Sequence, residues 1–302
     1  MTALRISEDK QITISTETSS LIQTSHAPST VKSYRNAIKK LGAWLDGRVL
    51  TDSVFANYIA ELHQEGKSPA TINIVVSAVK CQAKAQDAAI SFELTERTLA
   101  GIRRAGKDRG RGQVDGITWE EVNQICTLAE AEGTTTGLRD SALIRLMSDC
   151  LLRISEAVAI DVTDVDSVLT IRQSKTDQES EGTTLYIGDP TREVIKRYCE
   201  AGDITDGPLF RRIRRGDNIT SGRLSVVGAR NAIKRRAREA GVEGFISGQS
   251  LRIGSAVSLA QAGASVVDMQ VAGRWKSPEM PAHYAKKELT DQNAVARFKY
   301  GK

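Results

Sequence analysis

Four side chains in the C-terminal half of the chain have the types and the order that phosphate chemistry needs. Arg153 lies in the apolar segment CLLRISEAVAIDV. Arg252, Trp275 and Tyr284 follow one another within residues 247–284, a stretch with helical periodicity. Together they offer two planar cations, an indole N–H and a phenol. Lys175 lies between the two arginines, in the polar loop of a predicted hairpin.

Such a set could break a phosphodiester bond without a metal ion or a water nucleophile. A tyrosine hydroxyl can attack phosphorus and leave a phosphotyrosyl bond that keeps the energy of the broken one. The guanidiniums of Arg153 and Arg252 can hold the non-bridging oxygens, where negative charge collects in the transition state. Lys175 could protonate the leaving oxygen, and the indole of Trp275 could donate a further hydrogen bond. Tyr284 is therefore the candidate nucleophile.

One more residue joins the candidate site by its spacing. Glu156 follows Arg153 within one helical turn, so its carboxylate could steady the arginine. Taken singly, residues of these types are more often structural, as ion-pair partners, core aromatics or solvent-facing lysines. Their joint order and spacing favour the catalytic interpretation.

The elements that must position these residues are predicted to be mostly helical. Residues 1–26, rich in serine and threonine, are predicted to be a disordered arm. Residues 27–107 read as a compact helical domain, 108–116 as a basic glycine-rich linker, and 117–302 as the domain that carries the candidate site. Two short alternating runs on either side of Lys175 predict a small antiparallel sheet. The predicted fold class is mainly α.

The charge distribution favours a polyanionic partner. The net charge is +5 and the sequence pI is about 9.0. Residues 208–241 contain nine arginines against only Asp217 and Glu239. A solvated surface without a ligand is the alternative, but the planar fork of arginine suits phosphate. The candidate DNA-binding residues lie on helix edges of the first domain, in the linker region and in this basic segment: Arg35, Lys39, Lys80, Lys84, Arg103, Arg104, Arg109, Arg111, Arg212 and Arg230.

Cysteine and histidine positions give no indication of a metal centre. The four cysteines show no C-x-x-C spacing, and the three histidines do not cluster with them. No metal and no cofactor are therefore expected. No apolar run has the length of a membrane-spanning helix, and the N-terminus lacks the basic-then-apolar order of a signal peptide. The chain is expected to be cytoplasmic and associated with the nucleoid.

The motifs LLRISE, SGQSLR and GRW, the hairpin lysine and the tyrosine that follows resemble the tyrosine recombinase (phage integrase) family. Within that family the sequence is most similar to Cre-like enzymes, over roughly residues 27–300, and the segment TLAGIRRAGKDRGRGQ adds to the likeness. The resemblance implies a helical core-binding domain of the SAM-like type. It also implies a mostly helical catalytic domain with a small antiparallel sheet, the DNA breaking-rejoining enzyme fold, closed around DNA.

The resemblance also implies a function and a set of partners. Arg153, Lys175, Arg252, Trp275 and Tyr284 would take the catalytic positions of a site-specific DNA recombinase. Such an enzyme cleaves and rejoins DNA through a 3′-phosphotyrosyl intermediate and a Holliday junction, without a cofactor. The implied partners are double-stranded DNA with an inverted-repeat site and a homotetramer on two DNA sites.

One residue departs from the family pattern. The family usually carries histidine where this chain has Gln249. A carboxamide can donate a hydrogen bond but cannot relay a proton near neutral pH, so a reduced rate is expected. This departure leaves open a catalytically impaired relative that binds DNA as a regulator. A type IB topoisomerase-like enzyme, which uses the same tyrosine and cation chemistry, is the second alternative.

Overall fold

The computed structural model describes residues 16–17, 25–86, 88–105, 114–172, 182–284, 286 and 299. The chain divides into two compact units, Met1–Gly112 and Gln113–Lys302. Both units are mainly helical, and the second also contains short antiparallel strands. The predicted fold class is confirmed. Within the described residues, no helix combines the length and the apolar character needed to cross a membrane.

The described residues of the N-terminal unit include four helices of six residues or more, which pack around a small apolar core. Its helices are α1 (Pro28–Leu45), α2 (Asp52–Gln64), α3 (Pro69–Ala85) and α4 (Glu93–Ala105). The side chains of Phe55, Ile59, Ile72 and Leu99, which recur at helical spacing, are almost fully buried against one another.

Side-chain caps define where the helices of this unit begin. Thr51 accepts a hydrogen bond from the Val54 N–H at the start of α2, and Ser68 accepts one from the Thr71 N–H at the start of α3. Asp52 joins two helices, because its carboxylate accepts the backbone N–H groups of Leu94 and Thr95 at 2.8 and 3.0 Å. The first turn of α4 is therefore held by α2.

The C-terminal unit is built around one buried helix. Almost every side chain of α6 (Thr135–Asp149) is buried, so the other elements pack around it. The elements of the unit, in chain order, are α5 (Trp119–Ala131), α6, α7 (Ile154–Ala159), a 3₁₀ turn (Val162–Asp164), β1 (Val168–Ile171), β2 (Thr183–Tyr186), α8 (Asp189–Ala201), β3 (Arg211–Arg214), β4 (Asn218–Arg223), α9 (Val226–Glu239), α10 (Ser250–Gln261), α11 (Val266–Gly273) and α12 (Glu279–Tyr284).

The strands form two separate antiparallel hairpins. The predicted one pairs β1 with β2, with Leu169 opposite Leu185, and its connecting loop with Lys175 lies outside the described residues. The second, β3 with β4, is irregular between Arg211 and Ile213. Its strands lie in the basic segment, where arginine-rich alternation hid the strand pattern from the sequence analysis.

Helix α10, which carries Arg252, is fixed by a close backbone approach to the start of the C-terminal unit. Ile117 donates its backbone N–H to the Ser250 carbonyl at 2.9 Å, and the Trp119 N–H reaches the Ser258 hydroxyl at 3.1 Å. Between these contacts, a Cβ placed on Gly254 would lie 1.8 Å from the carbonyl oxygen of Ile117. Only glycine fits at position 254 with the two backbones this close.

We expect Gly254→Ala to destabilise the C-terminal unit by about 3 kcal/mol, the upper part of the range for overpacking a core, because the obstacle is backbone. Urea unfolding followed by circular dichroism measures the change. Gly42→Ala is the control, since a Cβ there meets open space within helix α1 and should stabilise by about 0.5–1 kcal/mol. Equal stability of Gly254→Ala and wild type would contradict the close approach.

Candidate active site

Arg252 lies at the centre of the candidate site, where it joins three helices. It projects from the first turn of α10, and its side chain is almost completely buried. The guanidinium donates one hydrogen bond to the carbonyl of Leu151 and another to the carbonyl of Gly273. These carbonyls stand at the C-terminal ends of α6 and α11, where helix dipoles concentrate negative charge. A cation is therefore well placed between the two helix ends.

Both helices end in the same backbone motif. At the end of α6 the Leu152 N–H returns to the Met147 carbonyl at 3.0 Å, and at the end of α11 the Trp275 N–H returns to the Gln270 carbonyl at 3.0 Å. These are Schellman turns, which place one residue in the left-handed conformation, usually glycine. Here the residues are Leu151, with φ 47°, and Arg274, with φ 54°. Side chains in this conformation are uncommon and cluster at functional sites.

The turn after Leu151 brings Arg153 to the N-cap of α7, where it meets Glu156. One guanidinium nitrogen of Arg153 donates to Glu156 Oε1 at 2.8 Å, and its backbone N–H donates to Oε2 at 3.0 Å. The Glu156 side chain is buried, whereas that of Arg153 keeps 22% of its surface exposed. The Glu156 carboxylate thus binds the buried side of Arg153 and leaves part of its guanidinium accessible to solvent.

Arg274 is a third cation at this site, and sequence reasoning missed it. Its Nη2 donates to Glu156 Oε2 at 3.0 Å and lies 3.5 Å from the Cys150 carbonyl oxygen. The side chain is only 12% exposed. The sequence contained one usable signal, a cation directly before Trp275. That signal is weak, because position 274 lies far along the chain from the residues it contacts.

Among the described residues, the guanidiniums of Arg153, Arg252 and Arg274 all act on the carboxylate of Glu156, and burial together with their crowding lowers the pKa of Arg252. Burial, followed by repulsion from Arg153 and Arg274, lowers the pKa of Arg252 to about 10. Burial opposes the ionisation of Glu156, but attraction to Arg274 and the contacts of Arg153 outweigh it and lower the pKa of that carboxyl. Among these four described side chains, three positive charges face one negative charge, an arrangement that an anion would complete.

Trp275 and Tyr284 complete the group on the other side of Arg252. The Arg252 guanidinium carbon lies 4.3 Å from the centre of the Trp275 ring, a cation–π contact. The rings of Trp275 and Tyr284 are 5.9 Å apart between centroids and tilted by 54°. Gly273 makes room for the indole, because a Cβ at that position would lie 1.9 Å from the ring.

Tyr284 is partly buried at the end of α12, and its phenol is protonated at neutral pH. Burial raises the pKa of the phenol, while Arg252 and Arg153 act in the opposite direction without reversing the shift. The hydroxyl therefore needs an acceptor for its proton before it can attack phosphorus. The same two arginines would stabilise the charge that develops as the proton leaves.

The remaining candidate site residues differ in their placement. Gln249 is the N-cap residue of α10, one turn before Arg252, and its side chain is exposed to solvent. Lys175 lies outside the described residues, so the structure does not place it. The structure thus brings together Arg153, Glu156, Arg252, Trp275 and Tyr284.

The candidate DNA-binding cations fall into three groups. Most are exposed and free of ion pairs with described residues: Arg35, Lys39, Lys84, Arg104, Arg212 and Arg230. Two have partners within the N-terminal unit, since Lys80 pairs with Glu96 and Arg103 donates to the Asn73 side chain at 2.7 Å. Arg109 and Arg111 lie outside the described residues.

Several other arginines of the basic segment are used inside the protein. Arg236 is buried and contacts Asp140, Glu132 and Glu239, and Arg211 donates to the Asp206 carbonyl at 2.6 Å. Arg223 donates to the carbonyls of Val158 and Ile160 and pairs with Asp161. The arginine count in this segment therefore overstates the charge available to a ligand.

A mainly helical fold that places arginines beside a tyrosine is the arrangement expected of the tyrosine recombinases. Comparison with known families gives the same result. The phage integrase family profile matches residues 116–290, and the profile of the phage integrase N-terminal SAM-like domain matches residues 19–81. The chain belongs to the phage integrase family. The resemblance to tyrosine recombinases found in the sequence is confirmed.

Similar proteins of known name include several recombinases. An integrase/recombinase xerD homolog of Selenomonas ruminantium is 26% identical over 92% of this chain and 87% of its own length. Recombinase cre of Escherichia phage P1 is 22% identical over 65% of this chain and 64% of its own.

Among solved structures, similar folds occur in two recombinases bound to DNA. The XerH site-specific recombinase in a post-cleavage complex with a palindromic difH substrate has a TM-score of 0.67 at 12% identity, over 89% of this chain and 80% of that one. A lambda integrase dimer bound to a COC′ core site has a TM-score of 0.63 at 19% identity, over 88% and 74%. At these identities the likeness shows the fold.

Replacing Glu156 by glutamine should change how stability depends on pH. A carboxyl whose folded pKa lies below its unfolded value of about 4.3 adds stability above that pH. It loses this contribution as the pH falls through the folded pKa. We expect Glu156→Gln to cost roughly 3 kcal/mol at pH 7, the low end for breaking a buried ion pair. Near pH 3 the difference from wild type should shrink.

Urea unfolding at both pH values measures the two differences. Glu193→Gln is the matched control, because Glu193 is exposed on α8. This substitution should change the free energy of unfolding by less than about 0.5 kcal/mol at either pH. A stability difference for Glu156→Gln that stays constant from pH 7 to pH 3 would show that the charge of Glu156 plays no part.

Proposed function

We propose that this chain is a site-specific DNA recombinase in which Tyr284 cleaves the DNA backbone. The phenolic oxygen attacks the phosphorus of a phosphodiester, the bond to the 5′ oxygen breaks, and a 3′-phosphotyrosyl bond forms. The 5′ oxygen leaves with a proton. Reversal of these steps with another strand rejoins the DNA. The reaction conserves bond energy, so it needs no external energy source.

One observation carries the proposal: the placement of Tyr284 beside a half-buried group of arginines. Arg252 contacts Trp275, whose ring neighbours Tyr284. The positive charges of Arg252 and Arg153 favour the ionised phenol and oppose the rise in its pKa that burial causes. A phosphate seated against Arg153 and Arg252 would have its non-bridging oxygens held by charge-assisted hydrogen bonds. Because negative charge grows on those oxygens in the transition state, fixed guanidiniums stabilise it more than the ground state.

Two proton transfers complete the assignment: the phenolic proton of Tyr284 passes to solvent water, and the leaving 5′ oxygen takes up a proton. Lys175, which follows β1 in the sequence, is proposed to protonate the leaving 5′ oxygen. The indole N–H of Trp275 is proposed to donate a hydrogen bond to the phosphate. Gln249, one turn before Arg252, could donate a hydrogen bond but could not take the phenol proton near neutral pH.

The proposed partners are double-stranded DNA and further copies of the chain. Exposed cations of both units, including Arg35 and Lys39 on α1 and Arg212 and Arg230 in the second unit, are proposed to contact phosphates. The XerH complex holds a palindromic substrate, and the lambda integrase complex is a dimer on a core site. By analogy with the palindromic substrate we propose an inverted-repeat site. From the family resemblance we propose a tetramer on two sites and a Holliday-junction intermediate.

Covalent trapping tests the nucleophile. Protein is incubated with nicked fragments of the host genome, denatured and separated by electrophoresis beside Tyr284→Phe. We expect a shifted adduct from wild type and none from the variant, because phenylalanine lacks the attacking oxygen. Equal retention of DNA by both proteins on a filter shows that binding is intact. An adduct that persists in Tyr284→Phe excludes Tyr284 as the nucleophile.

The same samples separate the proposed function from a topoisomerase. Strand exchange between two fragments that carry the recovered site yields recombinant products. Relaxation of supercoiled plasmid by monomers, with no recombinants, would instead indicate type IB topoisomerase-like activity.

Restoring a titratable side chain at position 249 should raise the cleavage rate. Imidazole can accept and return a proton near neutral pH, and general acid–base catalysis contributes about a hundredfold or more. We expect Gln249→His to accelerate single-turnover adduct formation by about tenfold or more at pH 7. Gln249→Asn, which keeps the carboxamide, is the control.

The level of wild-type activity shows whether the protein with Gln249 is an active recombinase with a reduced rate or a catalytically impaired DNA-binding protein. Adducts from Gln249→His but none from wild type would identify the natural protein as a catalytically impaired DNA-binding relative. An unchanged rate in Gln249→His would show that position 249 does not reach the reacting phosphate.

A further inference from the structure

We propose that Arg274 is a positioning residue of the phosphate site: it holds Glu156 in place, and Glu156 in turn holds Arg153. The inference rests on the proposed function, because Arg153 is assigned there to the scissile phosphate. Arg274 itself is not assigned a contact with DNA. Its role is to keep a catalytic arginine at one orientation before the substrate arrives.

The contacts of Glu156 are divided between the two arginines. Oε1 accepts from the guanidinium of Arg153 at 2.8 Å, while Oε2 accepts from Arg274 at 3.0 Å and from the backbone N–H of Arg153 at 3.0 Å. A carboxylate held at both oxygens cannot rotate about its terminal bond without breaking a charge-assisted hydrogen bond. Since the Glu156 side chain is only 3% exposed, water is poorly placed to replace Arg274.

The backbone at Arg274 indicates that the side chain, not the turn, is the reason for this residue. Arg274 occupies the left-handed position of a Schellman turn, with φ 54°. Glycine adopts that conformation freely, whereas any side chain is disfavoured there. The left-handed backbone at position 274 costs free energy with an arginine that it would not cost with a glycine. The turn alone therefore does not account for it.

The polar contacts of Arg274 also argue against a purely stabilising role. Its Nε and Nη1 atoms are buried and lack hydrogen-bond partners among the described residues. Buried donors without partners, above all on a charged group, oppose folding. Arg274 also repels Arg252, whose pKa it helps to lower. A residue selected for stability alone would not combine these features, whereas a residue that orders Glu156 and adds positive charge beside a phosphate site would.

Arg274→Gly removes the guanidinium and keeps the turn, so it separates the two roles. With a nicked duplex carrying the site recovered by trapping, we expect single-turnover cleavage to fall about tenfold to a hundredfold, the effect typical of removing a group that orients a functional ligand. DNA affinity should stay within about threefold. Guanidinium ion added to the assay should restore part of the rate. Lys276→Ala, which removes an exposed cation two residues away, should cleave at the wild-type rate.

A second measurement reads the contact directly and needs no DNA. In protein carrying ¹³C-labelled glutamate, the carboxyl resonance of Glu156 is titrated in wild type and in Arg274→Gly. Arg274 attracts the charged form of this carboxyl, so removing it should move the titration of Glu156 to higher pH. Arg153 and Arg252, which also act on Glu156 among the described residues, remain in both proteins. Arg274→Asn, which also tolerates the left-handed conformation, serves if the glycine variant does not fold.

The outcomes are distinct. Slower cleavage together with a shifted Glu156 titration supports the positioning role. Wild-type cleavage by folded Arg274→Gly, or an unchanged Glu156 titration, overturns it. If wild type itself forms no adduct, the proposed function fails, and the titration alone then decides whether Arg274 controls Glu156.

Discussion

The structure of the C-terminal unit depends on one buried guanidinium placed between two helix ends. Arg252 donates to the carbonyl of Leu151, in the turn that ends α6, and to the carbonyl of Gly273, the last residue of α11. The last carbonyls of a helix lack partners within it. The same two turns lead directly into Arg153 and Trp275. The two hydrogen bonds of Arg252 therefore help to set the positions of the Arg153 guanidinium and the Trp275 indole. The Trp275 ring in turn packs between the Arg252 guanidinium and the Tyr284 ring. A cation that serves the fold and the proposed chemistry at once leaves little freedom at position 252.

The electrostatics of the site favour function over stability. Among the described residues, Arg153, Arg252 and Arg274 surround the carboxylate of Glu156, and burial together with repulsion from the other two arginines lowers the pKa of Arg252 to about 10. Placing like charges together in a partly buried site opposes folding unless a counter-charge arrives. A phosphodiester would supply that charge, and its transition state would supply more. The surrounding core around α6 is large and well packed, so it can tolerate such a locally unfavourable cluster.

Arginine serves two purposes in the basic segment, and only contacts separate them. Arg236 and Arg223 satisfy buried carboxylates and carbonyls inside the unit, whereas Arg212 and Arg230 are exposed. The partners of the internal arginines, such as Asp140, lie in helices far away in sequence. Charge counting along the chain therefore identifies a basic segment correctly but cannot assign its members to a ligand or to the fold.

The sequence by itself determined the mainly α fold class, the predicted hairpin around Lys175 and the family, because periodicity, capping residues and motif order are local properties. It also singled out Arg153, Glu156, Arg252, Trp275 and Tyr284, whose order along the chain suffices for recognition. Only the tertiary structure decided that Arg274 meets Glu156 and that Arg252 joins two helix ends. It alone revealed the hairpin hidden in the basic segment. Each of these features depends on contacts between residues that are distant in sequence. Local sequence patterns do not specify which distant residue will be the partner.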